Sequence, residues 1–429
     1  MAEVGDYVEI KTNTEQVQGT LMPSNDENVV VIKLDNGYNL GLERKDILSI
    51  RLIKEMEKTK DLPKSLPSKK KGLKNIVVLH TGGTIASKVD YKTGGVIAQF
   101  SAADLVEMVP ELQEIANIEA ELVVNTMSED IGFDEYKQLI VAIETNTKKK
   151  VDGIIIGHGT DTLGYTAAAL SFAFENLNIP VLIVGSQRSP DRGSSDAATN
   201  LLCAAKFIVN SNFVGVAVCM HHGSGDEYCA ILPGTKTRKM HTSRRDAFKA
   251  INGSPIALVS CSGKGIKYLK ENYSKKSKGT ELVVRGEFSN EVGLMKIHPQ
   301  MDSKLFSFFT KNYKAVVIEG TGLGHAPTNL GEVNLRNYEI LKDFISEGGI
   351  VAVTSQCLFG AVHPFVYTNL RRLSNIGCIF CEDMLPETAY IKLAWLLGNY
   401  PKEKIAELMS ENLRGEINLG RTYDGDFIK

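Results

Sequence analysis

The sequence predicts an α/β protein with two parallel-sheet domains behind a small N-terminal β-barrel. Three observations predict it. From Asn75 onward, apolar runs that read as buried strands alternate with amphipathic segments of helix length, the signature of a doubly wound parallel sheet. The first 55 residues are short alternating segments separated by turn residues, as in a small barrel. The chain has 429 residues, 43% hydrophobic and 23% charged, enough for two or three cores of ordinary globular type.

The elements follow in order. GDYVEIKT, VQGTLMPS, NVVVIKLDNGYNLGLE and DILSIRLI supply four or five strands over residues 1–55, with Asn36-Gly37 as a hairpin turn. This pattern is similar to an SH3-like or Sm-like module. Its only aromatic residues are Tyr7 and Tyr38, which favours a structural or docking role over direct nucleic-acid recognition. Residues 56–74 carry two prolines, two serines and the run Lys69-Lys70-Lys71, a solvated linker. Residues 75–285 form the first α/β domain, with NIVVLHT, DGIIIGH, PVLIVGS, VGVAVCM and PIALV as strands. FDEYKQLIVAIETNTKK and TAAALSFAFENL are helices between them, and Ser128 followed by acids suits a helix start. The polar stretch from Lys264 to Gly286 marks a boundary, and residues 286–429 form the second domain. EVGLMKIH, KAVVIEG and GIVAVTS are its strands; DSKLFSFFTKN, LRNYEILKDFISEGG and ETAYIKLAWLLG are its helices.

Composition excludes several classes. A formal net charge of −2 gives no support to nucleic-acid binding by bulk electrostatics. MAEVGDYVEI has no basic region followed by an apolar one, and no apolar run approaches the roughly 18 residues a membrane span needs. The expectation is a cytoplasmic protein without membrane contact. The seven cysteines are odd in number and mostly sit in apolar, strand-like contexts, so they are expected reduced and in the core. Cys378 and Cys381 have no second pair at finger spacing, and His221-His222 has no acid at ligand spacing. The first pair reads as core and the second as a loop at a strand end; no metal ligand is assigned. The chain has neither GxxxxGK[ST] nor GxGxxG, which disfavours ATP or NAD chemistry on it.

Two stretches carry candidate chemistry. VDGIIIGHGTDT, residues 151–162, reads as a buried strand feeding a loop of glycines and hydroxyls, and NIVVLHTGGTIAS, residues 75–87, is of the same kind. Parallel sheets deliver side chains to their carboxyl edge in this way, so a site with two threonines is predicted. A threonine hydroxyl is a weak nucleophile and needs a base or polarising neighbour.

TGGTIAS and GHGTDT together are the two signatures of the L-asparaginase family, and the chain resembles those amidohydrolases from about Asn75 to its C-terminus. VVNTMSED at 123–130, VGSQR at 184–188 and LPGTKTRKMHTSRRDAFKA at 232–250 add to the resemblance. It implies an asparaginase-like two-domain fold and a set of roles. Thr84 attacks the amide carbonyl; by propensity alone it would be a helix N-cap. Tyr91 lies on a mobile loop over Thr84, and Gly94 and Gly95 suit a lid that excludes water. Thr160, Asp161 and Lys239 form a hydroxyl–carboxylate–amine set. Lys239 polarises or relays a proton, since a nearby carboxylate favours its charged form. Lys236, Arg238, Arg244 and Arg245 are the competing cations. Ser128 and Glu129 hold the α-carboxylate and α-ammonium of the amino acid, with Asp161 also near the ammonium. Many relatives carry glutamine where Glu129 stands. Gly83 and Gly159 complete the substrate-binding set, and backbone N–H groups of the two loops stabilise the oxyanion.

Three features single out one branch: the barrel with its linker, RKMHTSRRDAF, and EDMLPE at 382–387. With these the whole chain resembles the D subunits of archaeal glutamyl-tRNA(Gln) amidotransferases. The resemblance implies a translation enzyme whose D subunit releases ammonia from glutamine for a partner, the E subunit. That partner would bind and activate Glu-tRNA(Gln) using ATP and Mg2+, so this chain would bind no cofactor and meet tRNA mainly through the partner. A homodimer within a D2E2 heterotetramer is implied. The alternatives are a stand-alone cytoplasmic L-asparaginase and a non-catalytic scaffold that binds RNA through the barrel and linker.

Overall fold

The structure is a computed structural model that describes residues 2–22, 24, 26, 28–35, 38–55, 69–82, 87–89, 96–98, 109–188, 194–263, 265–277, 279–418 and 420. Its first unit is a five-stranded antiparallel sheet in the order Asn39–Glu43, Val29–Lys33, Gln16–Met22, Tyr7–Thr12, Ile47–Lys54. Alternation along Tyr7–Thr12 turns Val8 and Ile10 inward and leaves Lys11 exposed. Val30, Ile32 and Leu42 complete that small core. The strands Val29–Lys33 and Asn39–Glu43 pair antiparallel around the expected turn; Asn36 and Gly37 themselves lie outside the described residues, as does most of the linker, 56–68. The end of that linker docks on the next unit: Lys69 pairs with Glu119 at 2.6 Å, and the backbone N–H of Lys70 donates to Asn117 Oδ1 at 2.8 Å.

The second unit is an eight-stranded sheet. Its order is Ile266–Tyr268, Ala257–Ser260, Tyr228–Pro233, Gly215–His222, Pro180–Val184, Gly153–Gly157, Lys74–His80, Ala116–Leu122. The five strands from Gly215–His222 to Ala116–Leu122 are parallel. Each of the other three pairs antiparallel with its neighbour, so Tyr228–Pro233 and Ile266–Tyr268 oppose the parallel strands, while the strand in PIALV runs with them but beside antiparallel neighbours. Hairpin connections there replace crossover helices, and an apolar run carries no mark of direction. Gly153–Gly157 and Pro180–Val184 are buried throughout because helices cover both faces. Ile154 and Ile156 pack with Leu139 of Phe133–Lys148 and Phe172 of Leu163–Ala173 on one face. Ile155 packs with Phe207 of Ala197–Asn210 on the other.

Helix Phe133–Lys148 starts later than expected. Ser128–Asp130 form a separate 3-10 turn, and Gly132 is the N-cap. Glu135 reaches back to accept the Gly132 N–H at 2.8 Å, as the N3 residue of a capping box does. Ser128 is instead buried.

The third unit is a parallel sheet in the order Val292–Lys296, Ala315–Gly320, Ile350–Ser355, Ile379–Phe380. It shares a hydrophobic core with the second: Ile154, Phe172, Val317 and Trp395 belong to one buried cluster. Trp395, on helix Pro386–Asn399, stacks on Phe172 with ring centroids 5.5 Å apart. Cys378 and Cys381 are buried, and burial pushes both thiols up to about 12. His221 and His222 close the strand Gly215–His222 and are not loop residues. His221 Nε2 lies 3.4 Å from Asp226 Oδ1, so an acid does stand beside this pair. Among the described residues, no helix is long and apolar enough to cross a membrane.

Candidate active site

The two hydroxyl loops leave the carboxyl ends of neighbouring strands. From Lys74–His80 the chain passes to Ala116–Leu122 on one side, then returns to Gly153–Gly157 on the other. Strand order reverses there, and open α/β sheets bind ligands in the crevice such a reversal opens.

Three loops are laced together at this edge. Thr81 donates from both its backbone N–H and its hydroxyl to Gly157 O, at 3.1 and 3.2 Å. The Thr126 N–H donates to Thr81 O at 3.1 Å. Gly82 has φ +87°, and a Cβ there would stand 2.8 Å from Thr126 O, so only glycine allows this approach. Gly83, Thr84 and Tyr91 lie outside the described residues; Ser87–Val89 and Val96–Ala98, on either side of Tyr91, pair antiparallel.

The loop after Gly153–Gly157 is held from below. His158 Nδ1 lies 2.6 Å from Gly159 O; a carbonyl only accepts, so Nδ1 carries the proton. Nε2 then accepts from Thr166 Oγ1 at 2.8 Å. Burial holds the pKa of His158 down at about 4, partly opposed by the Gly159 contact. Between pH about 6.5 and 4 the unfolded chain carries a proton on this ring that the folded chain lacks. Stability therefore falls as pH drops through that window, by about 3 kcal/mol in full. Urea titrations at pH 7 and 4.5 are expected to show this decline, and His158→Gln to make it shallower; equal declines would contradict the assignment.

Gly159 faces Ser128. A Cβ on Gly159 would lie 2.7 Å from Ser128 Cβ and 2.8 Å from its Oγ, closer than real side chains pack. Thr162 Oγ1 donates to Ser128 O at 2.5 Å. Gly159→Ala is expected to displace Ser128 and raise KM for the amide substrate about tenfold or more, from roughly 1.4 kcal/mol of lost binding. Steady-state kinetics checks this, and an unchanged KM would count against Ser128 as a substrate contact. Glu129 stands exposed on the same turn.

Lys239 closes the constellation. It ends the short strand Thr237–Lys239, where it pairs directly with Phe248 of Phe248–Ala250. Its Nζ donates to Thr160 Oγ1 at 2.9 Å and to Asp161 Oδ1 at 2.7 Å. The Lys239 side chain is 15% exposed and that of Asp161 66%, so the acid faces solvent. Gly164 lets the two segments approach: a Cβ there would meet Thr237 O at 2.8 Å.

The competing cations are engaged elsewhere. Lys236 pairs with Asp383 at 2.9 Å and Arg238 with Glu387 at 3.3 Å. Arg244 pairs with Asp246 at 2.8 Å and Arg245 with Asp226 at 2.6 Å. The first two pairs tie the strand carrying Lys239 to the third unit. Burial raises the pKa of Glu387, with Arg238 opposing. Sequence reasoning missed these two anchors, although their acids stand in EDMLPE and their cations in KTRK.

Comparison with known proteins decides the family. Residues 75–273 match the family described as asparaginase, N-terminal, and residues 291–409 the glutaminase/asparaginase C-terminal domain. Residues 2–53 match the GatD N-terminal domain. The D subunit of the glutamyl-tRNA(Gln) amidotransferase of Methanococcus maripaludis is 44% identical, over 97% of this chain and 98% of that one. Its counterpart from Pyrococcus furiosus is 46% identical, over 97% and 95%. The chain belongs to the family of glutamyl-tRNA(Gln) amidotransferase D subunits. The solved L-asparaginase of Thermococcus kodakarensis is similar in structure, with TM-score 0.71 and 31% identity over 81% of this chain and all of that one. L-asparaginase I of Vibrio cholerae gives TM-score 0.70 at 28% identity, also over 81% and 100%. Both leave out about a fifth of this chain, and the GatD N-terminal match accounts for residues 2–53.

Proposed function

We infer that this chain is the glutamine-hydrolysing subunit of a tRNA-dependent amidotransferase of the cytoplasm. The observation that carries the inference is the convergence of Thr160, Asp161 and Lys239 beside Ser128 at the strand-order reversal, in a chain that also holds the N-terminal domain of the D-subunit family.

The chemistry runs in two halves. Ser128, Glu129 and Asp161 hold the α-carboxylate and α-ammonium of glutamine. Thr84 attacks the side-chain amide carbon, its proton passing to the departing nitrogen, so that ammonia leaves and a glutamyl ester remains. Water then attacks the ester and releases glutamate, restoring the hydroxyl. Backbone N–H groups of the two loops, with Gly83 and Gly159 among them, stabilise the oxyanion of each tetrahedral intermediate. The Lys239 ammonium polarises Thr160 and moves protons, and Tyr91 closes over Thr84. No step needs a cofactor on this chain. ATP and Mg2+ belong to the E subunit, which activates Glu-tRNA(Gln), and ammonia passes to it within a D2E2 assembly.

Amide hydrolysis assays on glutamine and asparagine, with and without the E subunit and Glu-tRNA(Gln), test the reading. Glutamine is expected as the preferred substrate, with a rate that rises on adding both. Full asparagine turnover by the isolated chain, indifferent to partner and tRNA, would favour a stand-alone asparaginase instead.

A further inference from the structure

Away from the site just described, three thiols meet under helix Ala197–Asn210. Cys203 lies on that helix, Cys229 on strand Tyr228–Pro233, and Cys261 directly after strand Ala257–Ser260. Their sulfurs all lie within 4.8 Å of one another, and Cys203 Sγ is 3.8 Å from Cys261 Sγ. Neither Cys203 nor Cys229 exposes any surface, and none of the seven cysteines is in a disulfide.

Packing alone explains a buried cysteine as a small apolar residue. It does not explain what surrounds these. His221 sits opposite Cys229 in the register of Gly215–His222 with Tyr228–Pro233, and cross-strand partners share a face. The His221 side chain is wholly buried, and neither of its ring nitrogens has a hydrogen-bond partner. Nε2 lies 3.4 Å from Asp226 Oδ1 without a hydrogen bond between them. Imidazoles that bind metal commonly donate from their second nitrogen to a carboxylate, and Asp226 stands close enough to take that part once the ring turns. Lys206 Nζ donates to the carbonyls of Ser260 and Cys261, at 3.3 and 2.6 Å, bringing positive charge beside the thiols.

We propose that Cys203, Cys229 and Cys261 bind one Zn2+ ion, with His221 Nδ1 as fourth ligand. A tetrahedral zinc with Zn–S bonds of about 2.3 Å sets its sulfurs about 3.8 Å apart, the separation of Cys203 from Cys261. Binding displaces three thiol protons to solvent, and the Lys206 ammonium offsets the remaining negative charge. Ligation by His221 requires a rotation of its ring toward the sulfurs. The ion would staple the helix to both strands. Through Asp226 and its pair with Arg245, it would also brace the segment that follows Lys239.

The test uses the full-length chain, stripped with a chelator, reloaded with Zn2+ and passed over a sizing column. One equivalent is expected to stay bound, falling to none in Cys203→Ser and Cys261→Ser and remaining in Cys378→Ser. Asp226→Asn is expected to weaken binding about 10- to 100-fold in competition with a metal indicator. Co2+ added to the unsubstituted chain should give a sulfur-to-metal charge-transfer band, a readout that needs no variant. Absence of that band, zinc retention indifferent to Cys203→Ser, or peroxide oxidation of Cys203 and Cys261 to a disulfide in a chain that takes up no zinc would each overturn the proposal.

Discussion

Lys239→Met is expected to lower the rate of glutamine hydrolysis about 100- to 10,000-fold, the range over which a positioned proton-handling group contributes. Methionine keeps the length and apolar stem of lysine but removes the donor to Thr160 Oγ1 and Asp161 Oδ1. Asp161 is largely exposed, so water solvates its freed carboxylate and the fold should be little affected. The loss should therefore appear in kcat with an almost unchanged melting temperature. Lys239→Arg is not expected to rescue, because a planar guanidinium fork cannot stand in for a compact ammonium between two oxygens. A variant that melts early and loses activity only in proportion would make Lys239 structural.

Thr84→Val is expected to have the larger effect, a loss of about 10,000-fold or more in glutaminase rate, as for removal of other enzymatic nucleophiles. Valine matches threonine in shape and lacks only the hydroxyl. Thr84→Ser should keep measurable turnover. If instead Thr160→Val abolished the reaction while Thr84→Val left it running, the roles of the two threonines would have to be exchanged. The scaffold alternative predicts that Thr84→Val changes nothing.

What could be read from the sequence was what is written locally. GHGTDT follows an unbroken apolar run, so its place at a strand's carboxyl end was legible from a dozen residues, and the structure has it there. TGGT was legible in the same way, and Thr81 and Gly82 stand at the adjacent strand's end. Lys239 lies 79 residues from Thr160, and no local pattern separates it from Lys236 or Arg238. Only the resemblance picked it out, and the hairpin to Phe248 explains why that spacing matters. The anchors Asp383 and Glu387 are 147 and 149 residues from their partners; such contacts follow from how sheets pack, which residue patterns do not encode. That Tyr228–Pro233 would come between two parallel-running strands and oppose both was illegible for the same reason. Ser128 misled because serine before acids is a good helix cap, and nothing local revealed that Gly159 would bury it.

The central claim is that this chain makes ammonia from glutamine for transfer onto a tRNA-borne glutamate. The most direct measurement supplies glutamine labelled with nitrogen-15 in its side-chain amide to this chain, the E subunit, ATP and Glu-tRNA(Gln), and follows label into Gln-tRNA(Gln). The account predicts labelled product with the unsubstituted chain, none with Thr84→Val, and recovery of product by that variant when ammonium chloride is added. Labelled product from the Thr84→Val complex, or no labelled product from the unsubstituted one while ammonium chloride still supports the reaction, would contradict it.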